Sequence, residues 1–124
     1  MLMPCEVAVK CVLPVIRSAL TKELTHEYGL TQTETANLLG ITQPAVSHYL
    51  RKVRGNALDL EQDEELSCHI REIAAMLYGK DASSREMKLK VCSFCETIRG
   101  KGFMCEPHRR LEPELTKECG TCLK

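Results

Sequence analysis

The sequence has no run of about 18 or more uncharged apolar residues, which excludes a transmembrane helix. It has no net charge either: 17 Lys and Arg stand against 17 Asp and Glu. That balance argues against indiscriminate binding to nucleic acid, but a local basic face remains open to it. The N-terminal stretch MLMPCEVAVKCVLPVIR lacks a basic lead and a small-residue cleavage site, and Glu6, Lys10 and Pro14 interrupt its apolar patches. A signal peptide is therefore not expected, and the expected location is cytoplasmic. A Gly-rich phosphate loop, a nucleophile elbow and a His-Glu metal motif are all missing, so an enzyme is not expected. Tryptophan is absent, as are internal repeats and low-complexity tracts.

What the chain does have is the mix of a globular protein, 44% hydrophobic and 27% charged over 124 residues. Wholesale disorder is not expected from that mix. The length suits one domain, or a small domain with an appended module. Eight cysteines are a large number for a chain without export signals, and they point to metal or redox chemistry rather than a disulfide framework.

Charge and cysteine are unevenly spread. Residues 1–57 carry six basic and four acidic side chains, residues 58–80 two and six, and residues 81–124 nine and seven. Five of the eight cysteines fall between Cys92 and Cys122. These shifts divide the chain into a reader (1–57), an acidic helix (58–80) and a cysteine-rich segment (81–124).

The fold class expected is mostly α. From Pro14, Val15, Ile16, Ala19, Leu20 and Leu24 keep a helical period, and Gly29 can stop that helix after Tyr28. Residues 4–13 form a preceding turn or helix, with Pro14 as a kink or break. Thr31 and Glu34 make a capping box for a helix ending at Gly40. Thr42 caps the next helix and Pro44 is tolerated in its first turn, with Val46, Tyr49 and Leu50 facing inward. In the acidic segment Leu66, Ile70, Ile73 and Leu77 form a narrow apolar stripe, suited to a dimer seam or to packing within one subunit. Ser83 or Ser84 can cap a short helix reaching about Val91.

The segment QTETANLLGITQPAVSHYLRK (Gln32–Lys52) carries the most specific local pattern. Ala36 is small enough for two helices to cross closely, Gly40 permits a left-handed turn, and Val46 and Tyr49 pin the second helix onto the first. In these positions the segment resembles the helix-turn-helix of lambda-repressor-like (Cro/XRE-type) transcription regulators, closely over about 22 residues. The resemblance implies a second helix entering the major groove of double-stranded DNA with its N-terminal residues towards the bases. Carried across, the DNA-facing residues are Thr42, Gln43, Pro44, Ser47, His48 and Arg51. Gln43 suits adenine, and Arg51 suits guanine or a phosphate. Gln32 would sit near a phosphate, and Lys52 and Arg54 add charge at the flank. Such readers usually dimerise on a palindromic site, so a homodimer is expected.

The C-terminal segment reads Cys92-x2-Cys95, Cys105, His108 and Cys119-x2-Cys122. Two residues between thiolates let both sulfurs reach one centre from a tight turn. Zinc would take Cys92 and Cys95 with either Cys119 and Cys122 or Cys105 and His108. An iron–sulfur cluster would take Cys92, Cys95, Cys105 and one of Cys119 or Cys122. The whole-chain arrangement resembles small archaeal regulators that join an N-terminal helix-turn-helix to a C-terminal cysteine cluster. That likeness puts an iron–sulfur cluster first and a structural zinc second. Cys5, Cys11 and Cys68 read as buried small hydrophobes, and Phe94 and Phe103 as shields of the centre. The expected function is a DNA-binding regulator whose cluster senses redox, iron or sulfur state. A thiol oxidoreductase is the alternative from another class, weakened because no strand–helix pattern precedes either Cys-x2-Cys pair.

Overall fold

A computed structural model describes residues 3–51, 60, 62–79 and 83–112. The described residues are mostly helical and include no strand, as expected from the sequence. The helices are α1 (Pro4–Val7), α2 (Leu13–His26), α3 (Gln32–Leu39), α4 (Gln43–Leu50), α5 (Glu64–Gly79), α6 (Ser84–Gly100) and α7 (Cys105–Leu111). None of them is long and apolar enough to cross a membrane.

Pro14 does not break the first helical run. Between α1 and α2 the chain forms a π-helical turn, Ala8–Val12, and Val7, Val12 and Leu13 all keep right-handed helical dihedrals. The Leu13 N–H reaches back five residues to the Ala8 carbonyl. Proline has no N–H to donate, and its ring crowds the carbonyl four residues earlier. A widened turn just ahead of it accommodates both defects, so α1, the π turn and α2 run on as one rod. Val15, Ile16, Leu20 and Leu24 form the buried face of α2, which packs against α3, α4 and α5. At its far end Leu30 N–H donates to the Leu24 carbonyl at 3.2 Å, beside Gly29 at φ +66°.

The capping box at α3 is complete. Glu34 N–H donates to Thr31 Oγ1 at 3.1 Å and Thr31 N–H to Glu34 Oε1 at 3.2 Å. Gly40 then takes φ +68°, ψ +32°, the left-handed region, and turns the chain into α4. Thr42 Oγ1 caps α4 by accepting from Ala45 N–H at 3.3 Å, and Pro44 sits in the first turn.

Asp63 caps α5, its Oδ1 accepting from Glu65 N–H at 3.0 Å and Leu66 N–H at 3.2 Å. Leu66, Ile70 and Ile73 are buried and Leu77 is half-buried in one hydrophobic core. The stripe read as a possible dimer seam is therefore used within the chain, because α5 lies between α2 and α6 and packs on both.

The helix expected to stop near Val91 runs on to Gly100, and a further helix, α7, follows. The sequence reading halted at the cysteines, yet Phe94 and Ile98 extend the apolar face of α6 for another two turns, and both are fully buried. They join Val7, Val12, Ile16, Leu24, Leu66, Ile73 and Met104 in a single core. Phe94 stacks on His69 at a centroid distance of 5.1 Å, so it is a core residue of the α5–α6 contact. Lys90 Nζ meets Glu72 Oε1 at 2.7 Å across the same pair of helices. Lys101, just past α6, meets Asp63 at 3.0 Å and Glu65 at 2.8 Å. Finally, α7 folds back onto α1, bringing the end of the described chain to its beginning.

Candidate nucleic-acid interface and thiol cluster

Two features position the α3–α4 pair. The turn at Gly40 sets the crossing, and both Gly40 and Ile41 donate their N–H to the Ala36 carbonyl. Ala36, Ala45, Val46 and Tyr49 are buried between the helices and α2. The Tyr49 carbonyl, near the end of α4, accepts from the buried Ser18 Oγ on α2 at 3.4 Å. Val46, with no exposure, is the closest thing to an anchor in α4.

That anchoring leaves the N-terminal end of α4 facing out. Thr42, Gln43, Pro44 and Arg51 are exposed, while Ser47 and His48 are half-buried. Gln43 Nε2 donates to Gln32 Oε1, so the first side chains of α3 and α4 are tied together. The sequence reading assigned these two glutamines to separate contacts. In the structure the two side chains meet, and the contact spans both helix N-termini. Arg51 Nε donates to the Ser47 carbonyl at 3.4 Å, at the last turn of α4. His48 is less available than its register suggested, since its Nδ1 is buried and has no hydrogen-bond partner among the described residues. Lys52 and Arg54 lie outside the described residues.

The cysteines form the second group. Cys92 and Cys95 occupy one turn of α6 rather than a tight loop, and their spacing of three places both on one side of that helix. Cys92 is exposed, and Cys95 and Cys105 are half-buried. Burial pushes the Cys95 thiol above its ordinary pKa, the Arg99 guanidinium opposes that shift, and the Cys92 and Cys5 thiols reinforce it. His108 is buried on α7, and its Nε2 lies 3.1 Å from Glu112 Oε2, one turn further on. Cys119 and Cys122 lie outside the described residues. Among the described residues no three His, Cys, Asp or Glu side chains converge on a point where a metal ion would sit. The described donors thus number three thiols of the expected five, two on α6 and one at the start of α7.

Two cysteines read as buried hydrophobes are not buried. Cys68 is exposed, and its Sγ accepts from Arg71 Nη2 at 3.2 Å. Cys5 is exposed on α1 and acts on Cys95. Cys11 is half-buried against the core.

Comparison with protein families, curated proteins and solved structures found no match to this chain.

Proposed function

We propose that the chain is a sequence-specific, DNA-binding transcription regulator that acts as a homodimer on a palindromic site, with α4 in the major groove. The observation that carries this reading is the linked pair Gln32–Gln43, at the exposed N-termini of two helices locked together by the turn at Gly40. A preorganised amide with both donor and acceptor groups suits adenine in the major groove, and Arg51 suits guanine or a phosphate. Helix N-termini also favour a nearby phosphate. Thr42, Pro44, Ser47 and His48 complete the face, with Lys52 and Arg54 at its flank. The acidic first turn of α5, Glu64 and Glu65, would repel the duplex and belongs on the far side.

The same reading places a cysteine-ligated centre in the second half of the chain. An iron–sulfur cluster held by Cys92, Cys95, Cys105 and a further thiolate would sense redox, iron or sulfur state. A structural zinc is the second reading. It is favoured by one observation: a carboxylate, Glu112, meets the His108 ring nitrogen, as carboxylates commonly do behind imidazoles that ligate a metal.

The test begins with selection of bound duplexes from a random pool, followed by fluorescence anisotropy at one stated salt concentration. The expected result is an enriched site that weakens about 5- to 150-fold on Gln43→Ala, as a bidentate base contact worth about 1–3 kcal/mol requires. If no sequence is enriched, or Gln43→Ala binds the site like wild type, the proposal fails. If apo and metal-loaded protein bind equally, the centre is structural.

A further inference from the structure

Helices α2 and α6 both pack on α5, and α3 packs on α2 and α5. Among these four helices lies a cavity of about 680 Å³. On α2 the lining positions 13, 16, 17 and 20 keep a helical spacing, so one face of that helix turns towards it. Leu13, Leu38, Leu39, Leu77, Met87 and Val91 pack on the core, are only partly buried, and all line the cavity. Its walls are aliphatic side chains and thioethers, and among the described lining residues none is aromatic. Its charge is one-sided. Arg17 of α2 and Lys88 of α6 line it and no described Asp or Glu does, in a chain with 17 residues of each sign. Both cations are exposed, and neither forms an ion pair among the described residues. The remaining polar lining is Ser83, Ser84 and the Cys92 thiol.

We propose that this cavity binds a small aliphatic carboxylate of the medium-chain fatty acid type. Its chain lies among the leucines and methionines, and its carboxylate is held by Arg17 and Lys88. The volume falls within the range of about 300–1,000 Å³ that encloses one small organic molecule. Moving a hydrocarbon chain from water onto such walls is favourable in proportion to the apolar area covered. Methionine side chains adapt readily to an unbranched chain, whereas a flat aromatic ligand would find no ring to stack on. A guanidinium offers a carboxylate two parallel N–H donors, and an ammonium adds a compact charge. Ser83 Oγ accepts from Glu86 N–H at 3.1 Å and keeps its own hydrogen to donate. An aliphatic amine would instead face two like charges.

The site goes beyond the DNA-binding reading and does not depend on it, yet it touches the α3–α4 pair. Leu38 and Leu39 are the last two residues of α3, directly before the turn at Gly40. A bound chain would therefore rest on the helix that leads into that turn. It would also rest on α2, whose Ser18 meets the end of α4.

The experiment uses the full chain, reduced, freed of bound lipid on a hydrophobic resin, and without DNA. Sodium decanoate is titrated by calorimetry at neutral pH, beside decan-1-ol, which has the same chain length and no charge. Decanoate should bind saturably and at least about tenfold more tightly than the alcohol. The double variant Arg17→Gln/Lys88→Gln, at two exposed positions, should remove that advantage. Decanoate should weaken at least about tenfold while the alcohol stays within about twofold, which also shows that the variant is folded. In methyl-detected NMR spectra of the wild-type chain, decanoate should shift the signals of Leu39, Leu77 and Val91. The proposal is overturned by no saturable uptake of decanoate, by equal binding in the double variant, or by shifts confined to residues outside the cavity. A dimer that excludes decanoate and dissociates on Met87→Asp also overturns it, since the groove then belongs to a second copy. With no DNA present, each of these failures leaves the reading of α4 as a DNA-binding helix standing.

Discussion

Replacement of Gly40 by alanine isolates the one backbone position on which the α3–α4 geometry turns. Its φ of +68° is open to glycine at no cost and costs an L-residue about 1–2 kcal/mol. A Cβ built there meets nothing within 4 Å, so no clash adds to that cost. Alanine also restricts the unfolded chain, which returns about 0.4–1 kcal/mol to stability. The net expectation is a destabilisation of about 0.5–1.5 kcal/mol, with asparagine falling between glycine and alanine because it tolerates the left-handed region better. Urea denaturation followed by circular dichroism, without DNA, gives the number: the midpoint should fall while the slope m is unchanged. An alanine variant as stable as wild type, or more stable, would refute the reasoning. It would mean that the turn relaxes to right-handed geometry without cost, and that Gly40 does not hold the two helices at their angle.

Thr31→Ala removes the side chain that accepts from Glu34 N–H and leaves Glu34 without its reciprocal geometry; a loss of about 1 kcal/mol is expected in the same denaturation assay. Phe94→Ala empties a fully buried ring site between α5 and α6 and should cost about 3–5 kcal/mol, read from the thermal midpoint or as failure to fold. The Lys101 ammonium, with the N–H groups of Leu66 and Glu65, holds the Asp63 carboxyl below the usual carboxylate range. A carboxylate depressed on folding stabilises the fold above its unfolded pKa of about 3.9 and loses that contribution as pH falls through the lower folded value. Asp63→Asn should therefore be less stable than wild type at pH 6, and the difference should shrink as pH falls below about 4; a constant difference would sink the assignment.

The α3–α4 pair was largely legible in the sequence because its determinants are local. A capping box, a turn glycine and a capped proline-bearing helix are each written in neighbouring residues, and Thr31, Gly40 and Thr42 all take the geometry expected of them. The link between Gln32 and Gln43 was not legible, since it depends on how two helices lie side by side. Helix α6 runs beyond the Val91 end expected for it because burial of Phe94 and Ile98 carries it through the cysteines. Propensity alone makes Pro14 a kink or a break, and a change of hydrogen-bond register absorbs it. The stripe on α5 was visible, but its partner was not, because periodicity reports that a face is buried and never by what.

The π-helical turn ahead of Pro14 also acts as an angular offset. One extra residue in a helical ring is worth roughly 100° of rotation about the axis. The bearing of α1 around the rod, and with it the side on which the exposed Cys5 stands, thus depends on the turn that precedes Pro14. Rewinding those five residues into ordinary α-helix would leave the composition and α2 untouched, yet would swing Cys5 about a quarter of the way around the axis. The rod transmits orientation as well as position, and its phase is set in that one turn.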